Sequence, residues 1–125
     1  MRIFTVKQGT SYTAFDVDRV RSGTKAWIDQ EHSFHCITED KTGLDSPGLN
    51  CVRLPNEPAL RGWWAKLFQF HLVSDEPTLY FDLDVSLRSP VWQLGDASAK
   101  IGMPLDYLAA YRPERNIEYT NSSIM

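Results

Sequence analysis

Asp82 and Asp84 stand one residue apart in the apolar stretch PTLYFDLDVSL, Pro77 to Leu87. If the strand continues through them, alternation sends both carboxylates to one side, where two like charges close together favour a shared cation. Hard carboxylate oxygens select Mg or Mn, and such ions commonly hold a diphosphate, which makes a nucleotide diphosphate a sensible ligand. The alternative is that the strand stops at Phe81 and both acids are solvated turn residues. Position favours the first reading: ligands of α/β sheets gather at the carboxyl ends of strands, and the acids directly follow the strand-like TLYF.

Several elements must frame this pair. A chain of 125 residues fits one domain, and 42% hydrophobic with 23% charged residues describes an ordinary globular composition. The net charge of -3 argues against a nonspecific nucleic-acid binder. The N-terminal residues lack the pattern of a secretory signal and no apolar run is long enough for a membrane span, so a cytoplasmic location is expected. Cys36 and Cys51 are then expected as free thiols. Strands are predicted over Arg2 to Val6, over SFHCIT, over LNCVRLP and over Thr78 to Leu83. Helical spacing of Val17, Val20, Trp27 and Ile28 predicts a helix from about Ala14 to Ile28. In LRGWWAKLFQFHL, Trp63, Trp64, Leu67, Phe68 and His71 predict a half-buried helix with those residues inward. Beyond these, a helical turn is expected in SPVWQLGD and a short helix in PLDYLAAY. Strands alternating with helices imply an α/β layer with a mainly parallel sheet and flanking helices.

The run GWWAKLFQFHLVSDEPTLYFDLDVSL resembles glycosyltransferases of the A-type fold, particularly family-eight-like bacterial and phage proteins, which pair a W-x-K helix with a Y-x-D-x-D-V strand. TVKQGTSYTAFDVDRV resembles their first strand and nucleotide loop, FHCITED their second strand, and TNSSIM a later N-[SA]-[GS]-[VI]-[ML] strand. The resemblance implies a shortened, Rossmann-like nucleotide-diphospho-sugar transferase fold, with residues 1–125 forming one truncated or minimal domain. It further implies a nucleotide-sugar donor, most often a UDP-sugar, a divalent Mn or Mg ion, and transfer of a sugar to an acceptor. Within it, Asp82 would face the donor ribose and sugar, and Asp84 would bind the metal, the two acids together forming the metal motif. Lys66 would lie near the phosphates or the donor sugar, Val6, Lys7, Gly9 and Tyr12 would hold the nucleoside, and Asn121 and Ser122 would line the sugar pocket. Plainer roles stand beside these: Tyr12 packing on the first helix, Lys66 snorkelling from a core-facing helix, Asn121 in a turn.

The pattern also departs from the family. Its members are longer, and their later half supplies a further metal ligand, usually a His, and an acceptor wall. His32, His35 and His71 all precede Asp82 and are expected as structural histidines, while Ser123 stands where the family has Gly. Two explanations follow: an N-terminal fragment or naturally shortened relative that keeps donor-site pieces without an acceptor site, or a chain completed by a second copy pairing through its apolar SIM end; a binding or vestigial module that turns over nothing is the non-enzyme alternative. YFDLDVSL also resembles the first motif of haloacid-dehalogenase phosphatases, with Asp82 as nucleophile and Asp84 as acid/base. That motif sits near the N-terminus in those enzymes, and too little chain follows Asp84 here for their downstream Lys and acidic pair.

Overall fold

The computed structural model describes residues 1–72, 76–88 and 90. Expectations for SPVWQLGD, PLDYLAAY, Asn121, Ser122 and the SIM edge lie outside these residues. The chain order is β1 (Arg2–Lys7), α1 (Ala14–Trp27), β2 (Ser33–Thr38), β3 (Leu49–Arg53), two 3-10 segments, η1 (Pro58–Leu60) and η2 (Gly62–His71), and β4 (Thr78–Tyr80). Among the described residues all strand pairings are parallel, in the order β3-β2-β1-β4. The chain thus builds outward from β1 through β2 to β3, then returns to lay β4 on the other side of β1. That reversal makes the carboxyl ends of β1 and β4 a topological switch point, where the flanking connections diverge and leave a crevice.

Alternation along each strand divides the core into two layers. Ile3, Phe34, Cys36 and Phe81 pack with Val17 and Val20 of α1 on one face. Phe4, Ile37 and Tyr80 pack with Ala65 of η2 on the other. At its start α1 is tied by the Thr13 backbone N–H and hydroxyl, both donating to Asp16 Oδ2 at 2.8 Å, which satisfies a donor that the first helical turn leaves orphaned. Cys36 and Cys51 are in register on neighbouring strands, and both are free thiols. Burial pushes the Cys36 thiol up to about 12, so it stays neutral in the core.

Two sequence expectations are corrected. The fourth strand ends at Tyr80 rather than Leu83: Phe81 N–H still donates to Phe4 O at 3.0 Å, and then Val85 N–H closes a turn onto Asp82 O at 3.1 Å. The second helix is wound as a 3-10 helix and turns its aromatic residues outward. Its buried residues are Ala65 and Gln69, whereas Trp63 is 82% exposed and Trp64 64% exposed. The small Ala65 lets the helix approach the sheet, and only Phe68 of the predicted inward set, together with Leu72, packs partly against that layer.

Candidate active site at the sheet switch point

β1 runs on through Thr5, Val6 and Lys7 after its last pair with β4, Phe4 with Tyr80. Above that step lies a cleft of about 430 Å³, walled by the end of β1 and its following loop, by η2, and by the turn after β4. Val6, Tyr12, Lys66, Asp82 and Asp84 all line it. The two acids therefore meet in one cleft because a turn presents them, rather than through strand alternation.

That turn is anchored from below. Leu83, between the acids, is 2% exposed and belongs to the α1 layer, and Arg19 of α1 donates a hydrogen bond from Nη2 to its carbonyl oxygen. Burying the central residue forces its two neighbours away from the core. Each Asp82 oxygen is then engaged once: Tyr80 Oη donates to its Oδ1 at 2.6 Å and Lys66 Nζ to its Oδ2 at 3.2 Å. Burial and the hydrogen bond to Asp82 raise the Tyr80 phenol far above its usual range, so it remains a donor. The Y-x-D spacing puts both side chains on one side of the strand end, which is what permits this contact. Asp84, in contrast, is exposed, with no hydrogen bond or ion pair among the described residues.

Tyr12 faces the same acids. Its phenol is raised by burial and then by the Asp84 and Asp82 charges, so its hydroxyl is held protonated and able to donate. Lys7 and Gly9 fall elsewhere. Lys7 is only 8% exposed, and its charge reaches Asp40, while Gly9 N–H donates to Glu39 Oε1 at 2.5 Å, beside the end of β2. Neither lines the cleft. Gly9 sits at φ 66°, a left-handed turn conformation that glycine adopts without penalty.

Three contributors escaped the sequence reading. Gln8 accepts from Gly62 N–H at 2.6 Å and donates to Leu60 O at 3.1 Å, clamping the start of η2 to the end of β1. Trp63 lines the cleft with its ring 5.6 Å from Lys66 Nζ. In a 3-10 helix residues three apart eclipse, so Trp63 and Lys66 stack on one edge of η2. Arg19 is the third, and only its reach to Leu83 O reveals it; a surface arginine on a helix carries no such signal in sequence.

Among the described residues the donor set suits one kind of metal binding. No three His, Cys, Asp or Glu side chains converge among the described residues, so a closed protein cage is not built there. One open carboxylate, Asp84, beside a roomy polar cleft suits an ion that takes its remaining oxygens from a phosphate ligand and water, the usual habit of Mg. His32, His35 and His71 do not join the cleft. His32 Nδ1 lies 2.8 Å from Gln30 O, His35 stacks on Phe4 with centroids 4.9 Å apart, and His71 tilts against Phe68.

No helix among the described residues is long and apolar enough to cross a membrane. No protein-family model matches the chain, and no curated protein does. Among solved structures it is similar to the galactosyltransferase LgtC in complex with donor and acceptor sugar analogs, with a TM-score of 0.66 at 18% identity, over 99% of this chain and 56% of that one. An active-site mutant of LgtC gives a TM-score of 0.68 at the same identity and coverage. The chain spans about half the length of these structures, 56%, and its parallel sheet with flanking helices has the Rossmann-like fold of that glycosyltransferase.

Proposed function

We propose that the chain binds a nucleotide-diphosphate sugar, with a UDP-sugar as the first candidate, together with Mn or Mg, and forms the donor side of a glycosyltransferase. The observation that carries this reading is the division of labour between the acids: Asp82 is held by Lys66 and Tyr80, and Asp84, in the same cleft, has no hydrogen bond or ion pair among the described residues. Likeness in fold to a galactosyltransferase solved with donor and acceptor sugar analogs supports it.

In this reading Asp84 holds the ion. When bound, a divalent ion neutralises charge that builds on a departing diphosphate. Lys66 adds a fixed cation on the same side, oriented by Asp82 so that it need not reorganise as charge develops. Each Asp82 oxygen keeps a second lone pair for a ribose or sugar hydroxyl. Val6 and Tyr12 supply the wall for the nucleoside, with the Tyr12 hydroxyl as donor. Lys7 and Gly9 act from behind this wall, shaping the loop rather than touching the ligand, and Asn121 and Ser122 remain candidates for the sugar pocket.

Calorimetric titration of UDP with and without Mn tests the reading. Binding that requires Mn in the wild type and is lost in Asp84→Ala is the expected result; absence of metal-dependent UDP binding contradicts it. Release or transfer of sugar from a UDP-sugar, abolished by the same substitution, separates an active transferase from a module that binds without turnover.

A further inference from the structure

We propose that Trp63 is the platform against which the sugar ring of the nucleotide sugar stacks, which makes it a specificity-determining residue of the donor site; this rests on the nucleotide-sugar reading above. A tryptophan at 82% exposure leaves nearly all of its apolar ring in water. Trp63 does so inside a cleft, next to an anchored glycine and beside a cation. Gln8 ties the preceding Gly62 through a 2.6 Å hydrogen bond. Gly62 itself turns at φ 60°, a left-handed conformation that directs the chain into η2. Lys66 lies 5.6 Å from the ring, a distance at which a cation is attracted to the π system.

The chemistry of the surroundings selects the occupant. A pyranose presents carbon-bound hydrogens on one face and hydroxyls around its rim. The hydrogens are polarised by the ring oxygens and suit the negative face of an indole, while the hydroxyls suit carboxylate acceptors. Trp63 supplies the first surface, and Asp82, joined to Trp63 through the 3.2 Å contact with Lys66, supplies the second. A nucleobase has two flat faces and no such rim, and the β1 side of the cleft, Val6 and Tyr12, is the wall assigned to it. The ring therefore discriminates a sugar nucleotide from the bare nucleotide.

The test is calorimetry on the full chain in Mn, with UDP and UDP-galactose as probes. The wild type is expected to bind UDP-galactose more tightly than UDP. Trp63→Ala should lower UDP-galactose affinity about tenfold and UDP affinity by much less, the latter only through its contact with Lys66, and Trp63→Phe should recover most of the loss. Unchanged melting temperatures in both variants are expected from the exposure of the side chain. Equal losses for both probes, no loss for UDP-galactose, or wild-type binding of UDP-galactose no tighter than UDP would each overturn the assignment while leaving the nucleotide site standing. Failure of the wild type to bind UDP would overturn both.

Discussion

On the α1 face of the sheet, Ile3, Phe34, Cys36 and Phe81 close against Val17 and Val20, none more than 3% exposed. On the opposite face, η2 meets the sheet through Ala65 and Gln69 and turns Trp63, Trp64 and Phe70 outward. The first face is held by apolar burial. The second depends more on polar ties, Gln8 to the start of η2 and Lys66 to Asp82. The cleft lies along the boundary of the two, with Leu83 rooted in the first layer and Tyr80 in the second. A rigid floor thus carries the acids, while a wall fixed by a few hydrogen bonds carries the cation and the aromatic ring.

The largest break in this contrast should come from the floor. Leu83→Ala removes a buried side chain and is expected to cost about 2–5 kcal/mol in urea denaturation, whereas Trp64→Ala on the outer side of η2 should stay within about 0.5 kcal/mol. Equal effects would mean that the two layers are built alike. Tyr80→Phe keeps the ring but removes the donor to Asp82, a bond to a charged group worth about 1.5–3 kcal/mol. A neutral outcome by denaturation would show that Lys66 alone holds the carboxylate. Gln8→Ala should cost about 1 kcal/mol and weaken UDP-galactose binding more than UDP binding, since it frees the start of η2; an equal effect on both would assign Gln8 a structural role only.

The smallest expected effect is a pH dependence confined to the η2 face. Burial, and then the Arg2 charge, push the His35 imidazole below its ordinary 6.5, so between the two values the unfolded chain binds more protons than the folded one. Its contribution to stability is therefore complete above about pH 6.5 and declines as the pH falls below that value. The urea midpoint should drop between pH 7 and pH 5, and His35→Gln should flatten part of that drop. An unchanged slope in the variant would place the titration elsewhere. Across the sheet, the Cys36 thiol, raised to about 12 by burial, adds nothing in this range.

Much of the first face was legible in the sequence. SFHCIT and LNCVR alternate as strands, the spacing of Val17 and Val20 reads as a helix, and parallel topology follows from the order of strands and helices. On the second face hydrophobic periodicity pointed the wrong way. It counts Trp63, Trp64 and Leu67 as core because they are large and apolar, yet the residue that lets η2 approach the sheet is the small Ala65, and the buried partner four residues on is polar Gln69. Spacing likewise brought Asp82 and Asp84 together for a strand that stops short at Tyr80. Their convergence comes from the buried Leu83, a contact that no pairwise spacing encodes. Gln8 was silent for a similar reason, since its partners Leu60 and Gly62 are distant in sequence and offer only backbone groups.

Unequal roles for the two acids are the centre of this account, and manganese paramagnetic resonance reads them directly. With UDP present, the wild type should take up Mn and diminish the signal of the free aquo ion. Asp84→Asn should leave that signal as intense as it is without protein, while Asp82→Asn should weaken uptake without abolishing it. Full Mn uptake by Asp84→Asn, or complete loss in Asp82→Asn alone, would contradict the assignment of the metal to Asp84.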